Sequence, residues 1–559
     1  MDVASAYSKE RSVAMAKSIV IWRKYVPQIT YTVITLLVLA PLLRPGYVLT
    51  LDMVFTPQIR MPSAITNDYV LQAALHILNE VIPSQIIEKV LLLGIFFLAG
   101  FGMNRFVRSI AHAGNGAYVA GIFYTINPFT YDRLMAGQYL VLFGYALLPF
   151  FLYALRKFVR SPGLRTSLWL VCWSVIASIV SIHSIGFMLL IAGIVGGCSI
   201  WSRRKTKGYI QQLVRCSVLV IFLFLVASSY WLIPIALGHG GAASEVAGYG
   251  GSGAFATVGD SFIGKFANVI RLQGFWLEAR NMFVLPETQI PLWGLLMLLI
   301  WVCVGCGVVS LWKSGKRLLV VSIGAMILLG VLLSTGLWNE ALINALPLFA
   351  VYREPQKFVT LVALGYSIFI AFGVDTILRV CAREMGNLGL KGATILAWVL
   401  PLVITETMLW GCHGQLQAST YPADWFTVNT ILDHDHQDFH VLFLPWHFYM
   451  YFGFVGRIIG NPAPTFFDKP VIVSDNPELP GAVAINPTTT TKRVDMLLPD
   501  LADGQAMGTA LAPLGIKYIV LAREYDYGQY AYLNTQHDLR LVYKGVAMDV
   551  YRNMAYRGQ

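Results

Sequence analysis

Asp52 stands in the stretch VLTLDMVFTP, Val48 to Pro57, just past the first long apolar run. A carboxylate at a lipid–water boundary loses hydration, which disfavours its charged form and suits it to accepting a proton from a hydroxyl. The structural alternative is an Asx turn or a helix cap. A second stretch, INPFTYDRLMAGQYL (126–140), follows the turn starter Asn127-Pro128 with adjacent Asp132 and Arg133 and with Gln138, whose amide both donates and accepts. Arg133 suits a phosphate or a sugar; on spacing alone an interfacial arginine paired to an acid is slightly favoured. A third, Arg353-Glu354-Pro355-Gln356-Lys357, puts two cations directly before an apolar run. There Arg offers a forked contact and Lys a point charge to a lipid phosphate; pairing with Glu354 is the alternative. Glu406, between Thr405 and Thr407 in the last apolar run, is an intramembrane acid that can also pair near a helix end. His183, in SIHSIG, reads best as a hydrogen-bonding residue of the core or interface. The run LDHDHQDFH (432–440) looks metal-like, but consecutive side chains splay and no second ligand set follows, so a solvated loop is expected and no metal site.

The framework that must hold these residues is a polytopic α-helical membrane protein. Of 559 residues, 56% are hydrophobic and 13% charged, and mean hydropathy is +0.62, more apolar surface than a water-facing globule can bury. About eleven transmembrane helices are expected, near 27–43, 86–103, 116–128, 138–155, 166–181, 184–201, 216–237, 290–312, 318–336, 358–376 and 392–411. The third is short enough to be tilted or re-entrant behind protein. No inverted repeat of a transporter is evident. Seven cysteines form no disulfide framework, and Cys303-x-x-Cys306 reads as packing.

The net charge of +11 is not a nucleic-acid signature, because the basic excess lies wholly within residues 1–411. It falls in alternate connections, from Lys9–Lys24 through Arg105 and Arg108, Arg156–Arg165, Arg203–Arg215 and Lys313–Arg317 to Arg379–Lys391. The positive-inside rule makes that side cytoplasmic, with the N-terminus inside and residues 412–559 outside a cytoplasmic membrane. The basic N-terminus shows no cleavable signal peptide.

The outward segments differ in character. Residues 44–85 contain the amphipathic LQAALHILNEVI, suited to lying along the membrane surface. The stretch GHGGAASEVAGYGGSGAF, 238–255, reads as a glycine-rich lid or loop. Beyond residue 412, HVLFLP, KYIVL, RLVYK and AMDVYRN read as strands separated by turn residues, with a helix expected near YAYLNTQ. An extracytoplasmic α+β domain is the expectation. Its aromatic residues, among them Trp425, Trp446, Tyr449 and Tyr451, suit sugar stacking or a lipid surface.

Taken in order, LTLDMVFTP, NPFTYDRLMAGQYLVLFGYALLPF, LPLFAVYREPQKFV, LFLPWHFYMYFGFVGRIIGNPAPTFFDKPVIVSDN and LGIKYIVLAREYD resemble the successive blocks of bacterial GT-C-type multi-spanning membrane glycosyltransferases. The likeness is to YfhO-type and mycobacterial arabinofuranosyltransferase-like proteins and runs from about residue 27 to 553. It implies a GT-C-like catalytic membrane domain (1–411) that takes a sugar from a polyprenyl-phosphate donor and gives it to an extracytoplasmic glycan or lipid acceptor. In such enzymes an acid of the first outer loop acts as base, a role that falls on Asp52. Basic residues of a later outer loop hold the donor phosphate, which implies Arg353 and Lys357; Arg133 and Asp132 would border the cavity, with Gln138, Glu354 and Glu406 as further candidates.

Many GT-C enzymes carry two neighbouring acids in the first outer loop. Here Met53 follows Asp52 and the next acid is Asp68, which argues against a metal-dependent version and leaves a second acid unidentified. No cofactor beyond the lipid-linked donor is expected. Two other classes remain open: a transporter or flippase, which the large C-terminal domain disfavours, and a non-catalytic cell-envelope assembly protein, in which Asp52→Asn would leave function intact.

Overall fold

Eight described helices are long and apolar enough to cross a membrane: Tyr25–Leu43, Ser84–Ile110, Tyr139–Arg160, His183–Arg203, Tyr209–Ala227, Trp293–Lys313, Arg317–Ser334 and Pro355–Ile404. Leu164–Val180 adds an apolar helix of 17 residues. The chain is a multi-pass membrane protein. Its computed structural model describes residues 25–111, 113–237, 249–250, 252–479, 483–484, 488–502 and 505–558. The basic residues expected inside between Lys9 and Lys24, and residues 238–248 and 251 of the glycine-rich stretch, lie outside the described residues.

Small residues set how closely these helices cross. A Cβ on Gly307 would lie 1.9 Å from the Phe369 carbonyl oxygen, and one on Gly373 1.8 Å from that of Cys303. The Trp293–Lys313 helix therefore packs backbone to backbone against the one that follows Pro355, which is the close approach that drives association where no hydrophobic effect acts between helices.

Three expected spans take other forms. The third is Asn115–Thr125, 11 residues and about 17 Å long by helical rise, too short to cross and buried by its neighbours. It stops because Asn127 caps the next helix, Pro128–Met135, accepting from the Thr130 N–H while the Thr130 hydroxyl accepts from the Asn127 N–H. The last two spans form one run, Val359–Ile404, whose axis breaks at Gly386 (φ 65°, ψ −160°). That run ends before Glu406, which sits on a following 3-10 turn, Glu406–Met408, rather than within a span.

The C-terminal part is an α/β domain. Its strands, with one short partner from earlier in the chain, are β1 (Tyr249–Gly250), β2 (His440–Leu444), β3 (Tyr449–Phe452), β4 (Arg457–Gly460), β5 (Val471–Ile472), β6 (Val483–Ala484), β7 (Ile516–Ala522), β8 (Leu539–Lys544) and β9 (Met548–Asn553). The main sheet runs β5-β2-β7-β9-β8, with β2 parallel to β5 and β7 and the remaining pairs antiparallel. Strand β7, IKYIVLA, is buried at every position, as a central strand covered on both faces must be. Alternate residues serve opposite cores: Phe443 and Val520 pack with Trp425, whereas Leu444 and Leu521 pack with Val494 and Leu511. YAYLNT, where a helix is expected, lies within a 3-10 helix, Tyr527–Thr535, kinked at Tyr530.

The loop carrying Asp52 is clamped between the two parts. Tyr47 bridges Ser419, and Gly46 at φ 109° leaves no room for a side chain, a Cβ there lying 2.7 Å from the Ser419 carbonyl oxygen. On the membrane side, Glu88 accepts from the Val48 N–H and the Ala136 carbonyl accepts from the Asp52 N–H at 3.0 Å. On the domain side, Leu51 O accepts from Gly460 N–H at 2.9 Å, and the Tyr421 hydroxyl donates to Phe55 O at 2.9 Å.

Candidate functional site

Asp52, Gln138, Arg133, Glu354, Lys357 and His183 form one connected network. The Tyr449 hydroxyl donates to Asp52 Oδ1 at 2.9 Å, and the Gln138 amide nitrogen lies 3.4 Å from Asp52 Oδ2 and 3.2 Å from Glu354 Oε2. The Gln138 oxygen in turn accepts from Arg133 Nη1 at 2.6 Å, which fixes the amide so that its NH₂ faces the two carboxylates. The same Nη1 donates to Glu354 Oε2 at 2.9 Å, and Lys357 Nζ lies 3.7 Å from that oxygen. Lys357 Nζ also lies 2.9 Å from His183 Nε2, which in turn lies 3.0 Å from the Val351 carbonyl oxygen.

Local structure explains the meeting. Gly137, at φ 76°, turns the chain from Pro128–Met135 into Tyr139–Arg160, and a Cβ there would lie 2.2 Å from Thr50 Oγ1 and 2.5 Å from the Met53 nitrogen. Only glycine lets the Gln138 turn nest against the Asp52 loop. Pro355 opens a 3-10 turn, Pro355–Phe358, after Glu354, so that Glu354 and Lys357 stand three residues apart on one side of a tight coil.

The two carboxylates face different electrostatics. Crowding by protein atoms raises the Asp52 pKa, Glu354's charge adds to that, and the bonds from Tyr449 and Gln138 only partly offset them, leaving it at about 6. Asp52 remains solvent-accessible all the same, because its crowded surroundings open into cavities. Burial would raise Glu354 too, but Lys357, Arg133 and Arg353 outweigh it and hold that group at about 2.

Two cavities meet here. The larger, about 630 Å³, is lined by Asp52, Asp68, Gln72, Gln138, His183, Arg353, Glu354 and Lys357. The smaller, about 290 Å³, lies toward the C-terminal domain and is lined by Asp52, Arg353, Glu354, Trp276, Tyr449, Tyr451, Glu478 and Tyr525. Asp52, Arg353 and Glu354 belong to both walls. The Arg353 guanidinium stacks over Phe255 at 4.9 Å.

Three candidates sit elsewhere than expected. Arg133 is fully buried behind Glu354, with its guanidinium 4.0 Å from the Phe275 ring centroid, so it holds the acid in place and does not reach either cavity. Asp132 points away from Arg133's partners and hydrogen-bonds Glu278, whose oxygens accept from the Gly274 and Phe275 N–H groups. Consecutive helical residues diverge by about 100°, which adjacency in sequence conceals. Glu406 is half-buried and lies 3.2 Å from His413 Nδ1, away from both cavities. In LDHDHQDFH, Asp435 pairs with Lys517 and accepts from the Tyr518 hydroxyl at 2.8 Å, closing the corner before β2. The sequence reading understated His183 and missed the Tyr449–Asp52 bond, whose partners are 397 positions apart.

The whole framework overlays on a mycobacterial arabinofuranosyltransferase, AftD, with a TM-score of 0.63 at 13% identity, covering 94% of this chain and 40% of that one. This is a GT-C fold. Two structures of an AftD point mutant overlay on the same GT-C framework with TM-scores of 0.62 and 0.57, at 13% and 14% identity, over 94% of this chain and 41% of each of theirs. The chain spans less than half the length of these GT-C proteins. No family model and no curated protein matches its sequence.

Proposed function

We propose that the chain is a membrane glycosyltransferase that moves a sugar from a polyprenyl-phosphate donor to a glycan or lipid acceptor on the outer face of the cytoplasmic membrane. Residues 1–411 are the catalytic membrane domain and 412–559 an extracytoplasmic domain that completes the site. The observation that carries this reading is that Asp52 lines both cavities beside Arg353 and Glu354.

The donor phosphate occupies the larger cavity against Arg353 and Lys357, with His183 beside Lys357. The acceptor enters the smaller one, where Trp276, Tyr449, Tyr451 and Tyr525 offer faces for sugar rings. An acceptor hydroxyl gives its proton to Asp52 while its oxygen bonds to the anomeric carbon. The bond from that carbon to the phosphate oxygen breaks, and polyprenyl phosphate leaves with the electron pair, its charge stabilised by the fixed cations. Attack opposite the leaving group inverts the anomeric centre; retained configuration in the product would overturn that step. Glu354, the acid beside Asp52, is engaged by Arg133 and Lys357, so Asp52 has no second open carboxylate with which to hold a divalent ion. Activity is therefore expected to survive EDTA, and loss restored by added metal would contradict this.

The decisive experiment is titration of the purified protein with decaprenyl monophosphate, the leaving group. Arg353→Ala and Lys357→Ala are expected to weaken binding about tenfold or more, the worth of one charge-assisted contact. Asp52→Asn should retain binding while turnover falls about 10²–10⁴-fold. Absent binding in the unaltered protein, or binding indifferent to both cation variants, would remove the donor site; an active Asp52→Asn protein would remove the base.

A further inference from the structure

A cation cluster lies at the far end of the helices that build the Asp52 site. Tyr139–Arg160 and His183–Arg203 both begin at the larger cavity and run about 30 Å, by helical rise, to Arg160 and Arg203. Between those ends and the start of Arg317–Ser334 opens a cleft of about 290 Å³. Its walls are apolar, with Phe106, Ile191, Val195, Ile323, Met326 and Ile368 among them, and Arg156, Arg160, Arg203 and Lys316 also line it.

None of these four cations makes an ion pair with an acid among the described residues. The Asp52 site, by contrast, tucks a carboxylate between Arg133 and Lys357. Arg156 donates to the carbonyls of Ser109 and Ile110, and Arg203 to that of Arg160. Those bonds tie the arginines to helix ends, and a guanidinium with five N–H groups keeps donors in hand. Four like charges around an apolar cleft call for an anion attached to something apolar.

We propose that this cleft binds an anionic glycerophospholipid, with its phosphodiester among Arg156, Arg160, Arg203 and Lys316 and an acyl chain against Ile191, Val195, Ile323 and Met326. A zwitterionic lipid would bring its own ammonium into the same cluster and be disfavoured. A free phosphate would leave the apolar walls uncovered.

The test is thermal unfolding of the detergent-solubilised full chain with phosphatidylglycerol, with phosphatidylcholine of the same acyl chains, and with glycerol phosphate. Phosphatidylglycerol is expected to raise Tm by several degrees more than phosphatidylcholine does. The double variant Arg160→Gln/Lys316→Gln should lose that difference; no described hydrogen bond runs through either side chain, so its lipid-free Tm should match that of the unaltered protein. Native mass spectrometry supplies a second readout, a retained phosphatidylglycerol adduct that the double variant loses. Equal shifts from the two lipids, or an undiminished selective shift and adduct in the double variant, would overturn the proposal. A glycerol phosphate shift as large as that of phosphatidylglycerol would do the same, by making the cluster a site for free anions. Decaprenyl phosphate binding at the Asp52 cavity is expected to be unchanged in the double variant, so this site stands or falls apart from the proposed reaction.

Discussion

Two carboxyl pairs flank Arg133, and they resolve their mutual repulsion in opposite ways. In the first, Asp52 and Glu354, cations sit on one side only: Arg133 and Lys357 contact Glu354, while Asp52 receives a tyrosine hydroxyl and an amide. The pair splits into an acid fixed in its charged form and a neighbour poised near pH 6. In the second, Asp132 and Glu278, burial drives both above the ordinary carboxyl range, and the pair shares a hydrogen bond and a proton. The first pair faces cavities and the second is buried. Environments that push two acids apart are the arrangement that acid–base chemistry needs, whereas a sealed pair sharing a proton serves to join two segments.

The sharpest way to break this contrast is Glu354→Gln. It strips Arg133 of a buried charged partner and is expected to cost about 3–5 kcal/mol, read as a lowered denaturant midpoint. In whatever fraction stays folded, losing Glu354's charge should move the acid limb of kcat/KM below pH 6, since that charge raises Asp52; an unmoved limb would mean that Asp52 is not the titrating base. Tyr449→Phe tests the other side of the split. Its hydroxyl lowers the Asp52 pKa, so its loss should shift the acid limb upward by about half a unit to one unit, the scale of one modest hydrogen bond. A fall in rate without that shift would assign Tyr449 to acceptor contact alone. Glu278→Gln should change least, because an amide oxygen still accepts from Gly274 and Phe275: under about 1.5 kcal/mol, with the pH profile unmoved. A large pH shift there would make the second pair part of the site.

How much the sequence disclosed follows from the range over which each signal acts. HVLFLP, KYIVL, RLVYK and AMDVYRN match β2, β7, β8 and β9 to within a residue, because strand content is local. LQAALHILN is helical, within Tyr69–Asn79, as its pattern suggests. Apolar run length found the spans but could not tell that the third is stopped by the Asn127 cap, or that the last two share one interrupted helix. At the site, the candidates Asp52, Gln138, Arg353, Glu354 and Lys357 do converge. Arg133 and Asp132 were misplaced because adjacency on a helix separates side chains, and the Arg133–Glu354 bond spans 221 positions. No spacing rule reaches that far.

The clamp on the Asp52 loop has a consequence for biosynthesis. Asp52 leaves the ribosome well before its partners do: the Gly460 N–H that holds Leu51 and the hydroxyl that holds Asp52 itself come some 400 residues later. A nascent chain with every helix inserted would still lack the pieces that set its carboxylate. The setting of that carboxylate is thus completed only after residues 449–460 have been made, however early the helices themselves insert.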